Sequence, residues 1–355
     1  MLEVSLRHRF QGFTLEVDFT VPAGVTALFG RSGAGKTTVV KAIAGLMRCD
    51  EARIVLDGRA LVGLPPHRRQ IGYVFQEPRL FPHLTVRQNL TYSRLFQRGP
   101  GLALADVVDL LGLQTLLSRR PATLSGGEKS RVAIGRALLS SPRMLLLDEP
   151  LASLDEAHKA EILPYLERLR DEVRLPMIYV SHALPEVARL ATSMVVLEGG
   201  RVIGAGPTEA VLADPHLVPA MGLKEAGAVI TTRLAGYEAD GLAVLETAAG
   251  CLYLPGLRAG VGQRLRLRIP AQDVILSRDR PVGLSALNIL AAEVVSLTEV
   301  AGFAVLVELK LVDGDGIGGQ VILARITQRS ARAMKLQAGV PCFAILKSMA
   351  IVGAV

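Results

Sequence analysis

Tryptophan is absent from the 355-residue chain, and all aromatic residues together amount to 4%. A protein so poor in rings has few platforms on which unpaired bases stack, and its charge is not gathered into the basic stripe or tail that nucleic-acid binding needs. The formal net charge of +7 is spread out, with 27 basic against 23 acidic residues up to position 228 and 13 against 10 after it. No nucleic-acid partner is therefore expected, and the mild basicity is left for an anionic ligand or lipid headgroups. Cysteine is scarce too: Cys49, Cys251 and Cys342 are far apart and form no CxxC pair, which speaks against a disulfide framework and a cysteine-based zinc site. Although 50% of the residues are apolar, no uninterrupted apolar run reaches the roughly 18 residues that cross a bilayer. The opening MLEVSLRHRFQGFTLEV alternates in polarity and carries Glu3, Arg7 and Arg9, unlike a secretory signal. The expectation is a soluble chain that stays in the cytoplasm.

What the chain does have is length for two domains at about 150 residues each, and two textures that divide it. From Met1 to about Lys224, apolar strand-like runs alternate with longer helical patterns, as in VTALFG, GKTTVVKAIAGLM, RMLLLDEP, AEILPYLERLRDEV and MIYVSH. This alternation predicts an α/β domain with a largely parallel sheet, and the continuously apolar RMLLLD and MIYVS suit strands covered by helices on both faces. GAGPTEAVLADPHLVPAMG, rich in Pro and Gly, marks a boundary. Beyond it, RLRLRI, AEVVSL, FAVLVELKLV and QVILARI are short alternating runs separated by Gly, Asp and Pro, the spacing of small β-barrels. GLRAGVGQRLRLRIPAQDVIL and LQAGVPCFAILKSMAIV share a glycine turn followed by an alternating strand, which leaves a repeat of two barrel units open.

One constellation carries chemistry. VTALF leads into Gly30-Arg31-Ser32-Gly33-Ala34-Gly35-Lys36-Thr37, a complete GxxxxGK[ST], and a helix-forming run follows from Thr38. Strand, glycine-rich turn and helix thus occur in the order a phosphate loop requires. Backbone N–H groups of such a turn converge on phosphate oxygens, with the positive helix end behind them. Lys36 is placed to reach the β- and γ-phosphates, Thr37 to offer its hydroxyl to magnesium, and Thr38 to add a contact to phosphate. Met144-Leu145-Leu146-Leu147-Asp148-Glu149 supplies the partner strand. Asp148 at its end can hold magnesium through water, and Glu149 can polarise an attacking water. ATP and Mg2+ are the ligands this set calls for.

Leu124-Ser125-Gly126-Gly127-Glu128, opening EKSRVAIGRALLS, resembles the signature of the ATP-binding cassette ATPases, with Glu128 where that pattern usually has Gln. Physically, Ser125 and the amides of Gly126 and Gly127 make a second anion seat at a helix N-terminus. The resemblance implies that this seat serves the nucleotide of an opposite subunit. Two copies would close head-to-tail, each ATP lying between one phosphate loop and the other chain's signature, and loss of the γ-phosphate would let them separate. It also implies that Gln76, in Gly72-Tyr73-Val74-Phe75-Gln76, senses magnesium and the attacking water. Likewise, Ser153-Leu154-Asp155 is the dimer-contact loop and His182 is the γ-phosphate switch. Adenine would stack on an aromatic near the N-terminus, with Phe10 and Phe13 both open.

RLFPHLTVRQNLTYSRLF, between Gln76 and the signature, is similar to the segment that forms much of the permease-receiving groove in importer cassettes. Leu80, Phe81 and Leu84 with Arg79 and Arg87 fit such a groove, the alternative being an amphipathic helix packed on its own domain. Further on, Ser285-Ala286-Leu287-Asn288-Ile289-Leu290, then AAEVVSLTE, LARITQRSARAMKLQAG and CFAILKSMAIV, resemble the molybdate-binding barrel of molbindins, with Leu287 where the usual pattern has Arg. Ser285, Lys347 and Ser348 are the candidates for holding an oxyanion; the alternative is a barrel that only dimerises and regulates. The expected organisation is an α/β P-loop ATPase domain over 1–228, a connecting β segment over 229–284, and a molbindin-like, OB-like all-β regulatory barrel over 285–355.

As a whole the chain resembles the ATPase subunits of bacterial molybdate importers. That resemblance implies a peripheral protein on the cytoplasmic face of the inner membrane, working as a pair with integral permease subunits to which a periplasmic binding protein delivers molybdate. Tungstate is similar enough in size and charge to share the route. Import of sulfate, an iron complex, a polyamine or a sugar by a related cassette is the alternative within transport. A DNA-repair or chromosome ATPase would carry a long insertion, whereas Leu124 comes only 88 positions after Lys36, with no heptad run or CxxC pair. A translation-factor protein normally fuses two cassettes, whereas this chain has one phosphate loop and one signature.

Overall fold

The first strands of the chain pair as a hairpin, β1 (Leu2–Phe10) with β2 (Phe13–Val21), in antiparallel register from Leu2 opposite Val21 to Phe10 opposite Phe13. The computed structural model of the chain describes residues 1–93, 101–173, 175–222, 226–247, 249–300, 302–312, 319–348 and 352–354. They form two units, Met1–Gly206 and Pro207–Val355.

In the first unit β3 (Val25–Phe29), β4 (Glu51–Leu56), β5 (Arg59–Ala60), β6 (Ile71–Val74), β7 (Met144–Asp148), β8 (Met177–Val180), β9 (Ser193–Glu198) and β10 (Arg201–Pro207) join the hairpin in one ten-stranded sheet, ordered β5-β4-β1-β2-β10-β9-β3-β8-β7-β6. The half β9-β3-β8-β7-β6 is parallel. β1, β2, β4 and β5 pair antiparallel, so the largely parallel sheet expected from the α/β alternation carries an antiparallel wing. Burial explains the division. β3, β7 and β8 are buried at every position, as strands sandwiched between helices must be, whereas β2 alternates buried and exposed residues, as a strand with one wet face does. The helices are α1 (Lys36–Ala44), α2 (Val86–Thr91), α3 (Leu104–Leu110), α4 (Gly126–Leu138), α5 (Glu156–Val173) and α6 (Leu184–Leu190). In the segment similar to the permease-receiving groove, α2 is the helical part, and residues 94–96 lie outside the described residues. Parallel strands present their following loops at one edge of a sheet, the usual place for a ligand in an open α/β fold. Here the neighbours β3, β8, β7 and β6 run directly into Gly30, Ser181, Glu149 and Phe75, so the loops that carry the candidate residues emerge side by side.

The second unit opens with α7 (Thr208–Ala213) and α8 (Val218–Met221) and continues as β structure. β11 (Gly227–Tyr237), β12 (Ala243–Thr247), β13 (Gly250–Leu254), β14 (Arg264–Pro270), β15 (Val274–Ser277), β16 (Asn288–Val300), β17 (Ala304–Leu311), β18 (Val321–Thr327), β19 (Pro341–Leu346) and β20 (Val352–Ala354) form two five-stranded sheets, ordered β13-β12-β11-β14-β20 and β15-β19-β16-β17-β18. A short helix, α9 (Gln328–Ala333), follows β18. Ile230, Leu245 and Leu267 from one sheet share an apolar core with Leu290, Val307 and Ile322 from the other. Residues 229–284 therefore hold most of β11 and all of β12–β15, and they bury their apolar faces with the strands that follow. The strand that follows the glycine turn is β14 in the first of the two similar segments and β19 in the second, one in each sheet, and the first segment runs on into β15, which lies beside β19. Among the described residues no helix is long and apolar enough to cross a membrane.

Candidate active site

The converging loops enclose a cleft of about 520 Å³ lined by Phe10, Phe13, Ser32, Gly33, Gly35, Lys36, Thr37, Thr38, Gln76 and Glu149. Its floor is the glycine-rich turn. Gly35 caps α1 with φ 100°, and a Cβ at this position would stand 2.8 Å from Leu15 Cδ1, so the close approach of β2 and the left-handed backbone both require glycine. Ala34 is buried beneath the loop and donates its N–H to Arg31 O at 3.1 Å, while Arg31 and Ser32 face outward. Lys36 is 5% exposed; its Nζ donates to Gly30 O at 2.7 Å and to Arg31 O at 3.1 Å. Burial pulls the Lys36 ammonium below its ordinary pKa, opposed by the carboxylates of Glu149 and Asp148.

Asp148 ends β7 nearly buried, and both its oxygens are engaged: Oδ1 accepts from Thr37 Oγ1 at 3.2 Å and Oδ2 from Tyr73 OH at 2.7 Å. Burial, then the hydrogen bond to Asp148 and its charge, push the Tyr73 phenol well above its ordinary pKa, so it serves as a donor. Nothing local in the sequence singles out Tyr73. Its signal is the β6–β7 register, which sets Tyr73 beside Leu146 two residues before Asp148, and register has no local signature. Glu149 stands in the left-handed region at φ 48°, where a residue other than glycine is strained, and its N–H donates to Val180 O at 3.1 Å. That backbone turn directs its carboxylate to His182, whose Nδ1 is 3.4 Å from Glu149 Oε1. The hairpin tip brings Phe10 and Phe13 to the cleft together, ring centroids 5.9 Å apart, so the two aromatics share one wall.

Ser125, Gly126, Gly127 and Glu128 do not line this cleft. Ser125 caps α4: its Oγ accepts from Glu128 N at 3.2 Å, and the Glu128 carboxylate accepts from Ser125 N at 2.7 Å. Glu128 thus completes a capping box, and Arg119 lies 3.8 Å from it. Leu154 packs against the start of α4 so closely that a methyl on Gly126 would meet its Cδ2 at 2.7 Å. Asp155 holds His158, ring Nδ1 to Oδ1 at 2.7 Å. In the groove segment Leu80, Phe81 and Leu84 are half-buried and Arg79 and Arg87 exposed. Fully buried Asn89 stitches that loop, accepting from Phe81 N and donating to Phe81 O, Leu84 O and Thr85 O at 2.8–3.2 Å.

The ABC transporter family model matches residues 15–152, and the TOBE domain model matches residues 284–352. Over 359 residues the chain is 49% identical to the molybdenum import ATP-binding protein ModC of Rhizobium johnstonii, covering 99% of each chain. It is 45% identical over 364 residues to ModC of Rhodospirillum rubrum, covering 99% of this chain and 97% of that one. The chain belongs to the family of molybdenum import ATP-binding proteins. Solved ABC transporter cassettes are similar to the ATPase part of this family member. The cbiO1 protein of Clostridium perfringens, part of the transporter complex cbiONQ, is 27% identical with a TM-score of 0.54 over 61% of this chain and 92% of that chain. The ADP conformation of MJ1267, an ATP-binding cassette, is 25% identical with a TM-score of 0.55 over 62% and 97%.

In this molybdenum import ATP-binding protein the C-terminal candidates occupy the second unit. Ser285 and Lys347 are exposed, and Ser348 is half-buried. Asn288, fully buried, donates to Ser348 Oγ at 3.2 Å and accepts from Tyr253 N at 2.7 Å, tying the Ser-Ala-Leu-Asn run to β13 and to the residues after β19.

Proposed function

We propose that this chain is the ATPase subunit of an ABC importer for molybdate, and that residues 30–38 with Gln76, Asp148, Glu149 and His182 form its hydrolytic site. The observation that carries the reading is one cleft lined by the phosphate loop, Gln76 and Glu149, with Asp148 bonded to Thr37 and His182 beside Glu149, in a chain 49% identical end to end to a molybdenum import ATP-binding protein. Loop amides and Lys36 bind the β- and γ-phosphates, Thr38 adds a hydroxyl, and Phe10 with Phe13 forms the wall against which adenine stacks. Glu149 accepts the proton of a water as its oxygen bonds to the γ-phosphorus and the bond to the bridging oxygen breaks, releasing ADP. His182, beside Glu149, holds the γ-phosphate and shares that proton, and Gln76 orients the water.

Asp148 and Thr37 present a carboxylate and a hydroxyl at one point, oxygen donors that suit magnesium, and among the described residues no group of three His, Cys, Asp or Glu side chains forms a cage. This fits an ion bound through one carboxylate, water and substrate phosphates. Thr37, Asp148 and Gln76 would hold it, and when bound it supplies positive charge to the phosphate oxygens.

Ser125, Gly126 and Gly127 lie at the N-terminus of α4 and do not line the cleft, which suits a seat for a second copy's nucleotide, with Glu128 bracing the cap and Leu154 of the Ser153-Leu154-Asp155 loop beside it. Two copies then close on two ATP molecules and open on hydrolysis. The half-buried Leu80, Phe81 and Leu84 receive the permease, placing the chain on the cytoplasmic face of the inner membrane, and a periplasmic protein delivers molybdate. The domains are assigned as cassette 1–228, connector 229–284 and regulatory barrel 285–355, in which Ser285, Lys347 and Ser348 hold an oxyanion. Uptake of radiolabelled molybdate by cells with and without the gene tests the cargo: uptake should fall on deletion. Unchanged molybdate uptake with lost uptake of sulfate, iron complex, polyamine or sugar would replace it.

A further inference from the structure

Beside the cleft lies a buried polar cluster that the hydrolytic reading does not use. Glu186, in the first turn of α6, is 6% exposed. Its Oε2 accepts from Tyr179 OH and from Ser181 Oγ, each at 2.8 Å, and its Oε1 lies 3.2 Å from Lys159 Nζ. Ser181 Oγ in turn accepts from Ala183 N at 3.0 Å. One carboxylate therefore grips β8 through Tyr179, the residue before His182 through Ser181, and the residue after it through that same hydroxyl. Lys159 stands in the first turn of α5, the helix that follows Ser153-Leu154-Asp155, so the cluster joins that loop's helix to the histidine turn.

Burying a carboxylate costs free energy that pairing offsets, and apolar replacements of such groups are often neutral for stability, so stability alone is a poor account of this cluster. Orientation is a better one. The His182 side chain is 61% exposed, so packing does little to hold it, and its placement 3.4 Å from Glu149 is dictated by the backbone of its turn. Burial, reinforced by the charge and hydrogen bond of Glu186, keeps the Tyr179 phenol far above its ordinary pKa, a permanent donor. Lys159 is opposed by burial, but Glu156 and Glu186 outweigh it and hold the ammonium charged.

We propose that Glu186 is a positioning residue for hydrolysis: its carboxylate fixes the turn that carries His182 over Glu149 and ties that turn to the helix after the Ser153-Leu154-Asp155 loop. The proposal rests on the hydrolytic reading above. Glu186→Gln keeps an oxygen for Tyr179 and Ser181 but turns an amide toward Lys159, and Ser181→Ala cuts the direct hold on the turn. Each variant of the full chain is compared with His182→Ala and with the doubles, reading kcat, KM, affinity for a fluorescent ATP analogue and melting temperature. A misplaced group of this kind costs up to about 100-fold, and the expected loss is about 10-fold in kcat, with KM and nucleotide affinity little changed. In the His182→Ala background neither variant should lower kcat further, because the group they position is gone; a general structural defect would multiply in full. Should Glu186→Gln fail to fold, Ser181→Ala decides by the same comparison. Full multiplication, or wild-type kcat in both variants while His182→Ala is impaired, overturns this proposal and leaves the hydrolytic reading standing. His182→Ala turning over at the wild-type rate overturns both.

Discussion

Alanine substitutions at Gly33 and Gly35 separate backbone strain from packing within a single phosphate loop. Both residues have left-handed backbones, φ 82° and 100°, which cost an L-residue about 1–2 kcal/mol. The surroundings differ. A Cβ on Gly33 meets nothing within 4 Å, whereas one on Gly35 stands 2.8 Å from Leu15 Cδ1 and 3.3 Å from the Phe13 ring. Leu15 is fully buried and has no space to retreat, so an overpacking cost of about 1–3 kcal/mol is added. Gly33→Ala should therefore lose about 1–2 kcal/mol and Gly35→Ala about 2–5 kcal/mol. For a unit of this size each kcal/mol is about 2–4 °C in Tm, so losses of about 2–8 °C and about 4–20 °C are expected. Differential scanning calorimetry of the nucleotide-free chain, reading the transition of the first unit, measures both. Equal losses, or a larger one at Gly33, would refute the packing argument.

Lys36→Ala removes a charged donor worth about 1.5–3 kcal/mol, so affinity for ATP should fall about 10- to 150-fold by titration calorimetry; a change under threefold would mean that the ammonium does not touch phosphate. Glu149→Gln should lower kcat by about 10²–10⁴ while ATP still binds, and the variant should elute as a dimer with ATP on size exclusion. Hydrolysis at the wild-type rate would remove Glu149 from its role. The pair of Asp155 and His158 sets a pH window. The His158 backbone N–H and then its ring hold the Asp155 carboxyl below 3.8, so its contribution is present above that value and is lost as pH falls through the lowered pKa. The hydrogen bond to Asp155, then its charge, raises His158 above 6.5, so that contribution is present below 6.5 and is lost as pH rises through the raised pKa. In Asp155→Asn the His158 titration followed by NMR should return toward 6.5, and an unmoved His158 would show that the carboxylate is not its partner.

The readings that needed only contiguous residues were legible in the chain. The run from Gly30 to Thr38 states its own conformation, because glycines at fixed offsets between an apolar strand and a helix leave the backbone few alternatives. The apolar run ending at Asp148 and Glu149 is equally local, and so are the alternating strands after residue 228. Family resemblance extended this to Gln76 and His182, which short-range chemistry alone would leave ambiguous. Tertiary structure decided what depends on strand order and register. The sequence of neighbours β3-β8-β7-β6 sets His182 against Glu149, and the β6–β7 register aims Tyr73 at Asp148. The tip of an antiparallel hairpin brings both Phe10 and Phe13 to the cleft, where the sequence left them as rivals. Glu186 reads along the chain as an ordinary helix carboxylate, and its burial under Tyr179, Ser181 and Lys159 follows from how α5 and α6 pack. Local backbone preference and side-chain period act over a few residues and are written in order along the chain. Contacts between distant segments arise from burying the apolar faces of many elements at once, a collective result that no short run encodes.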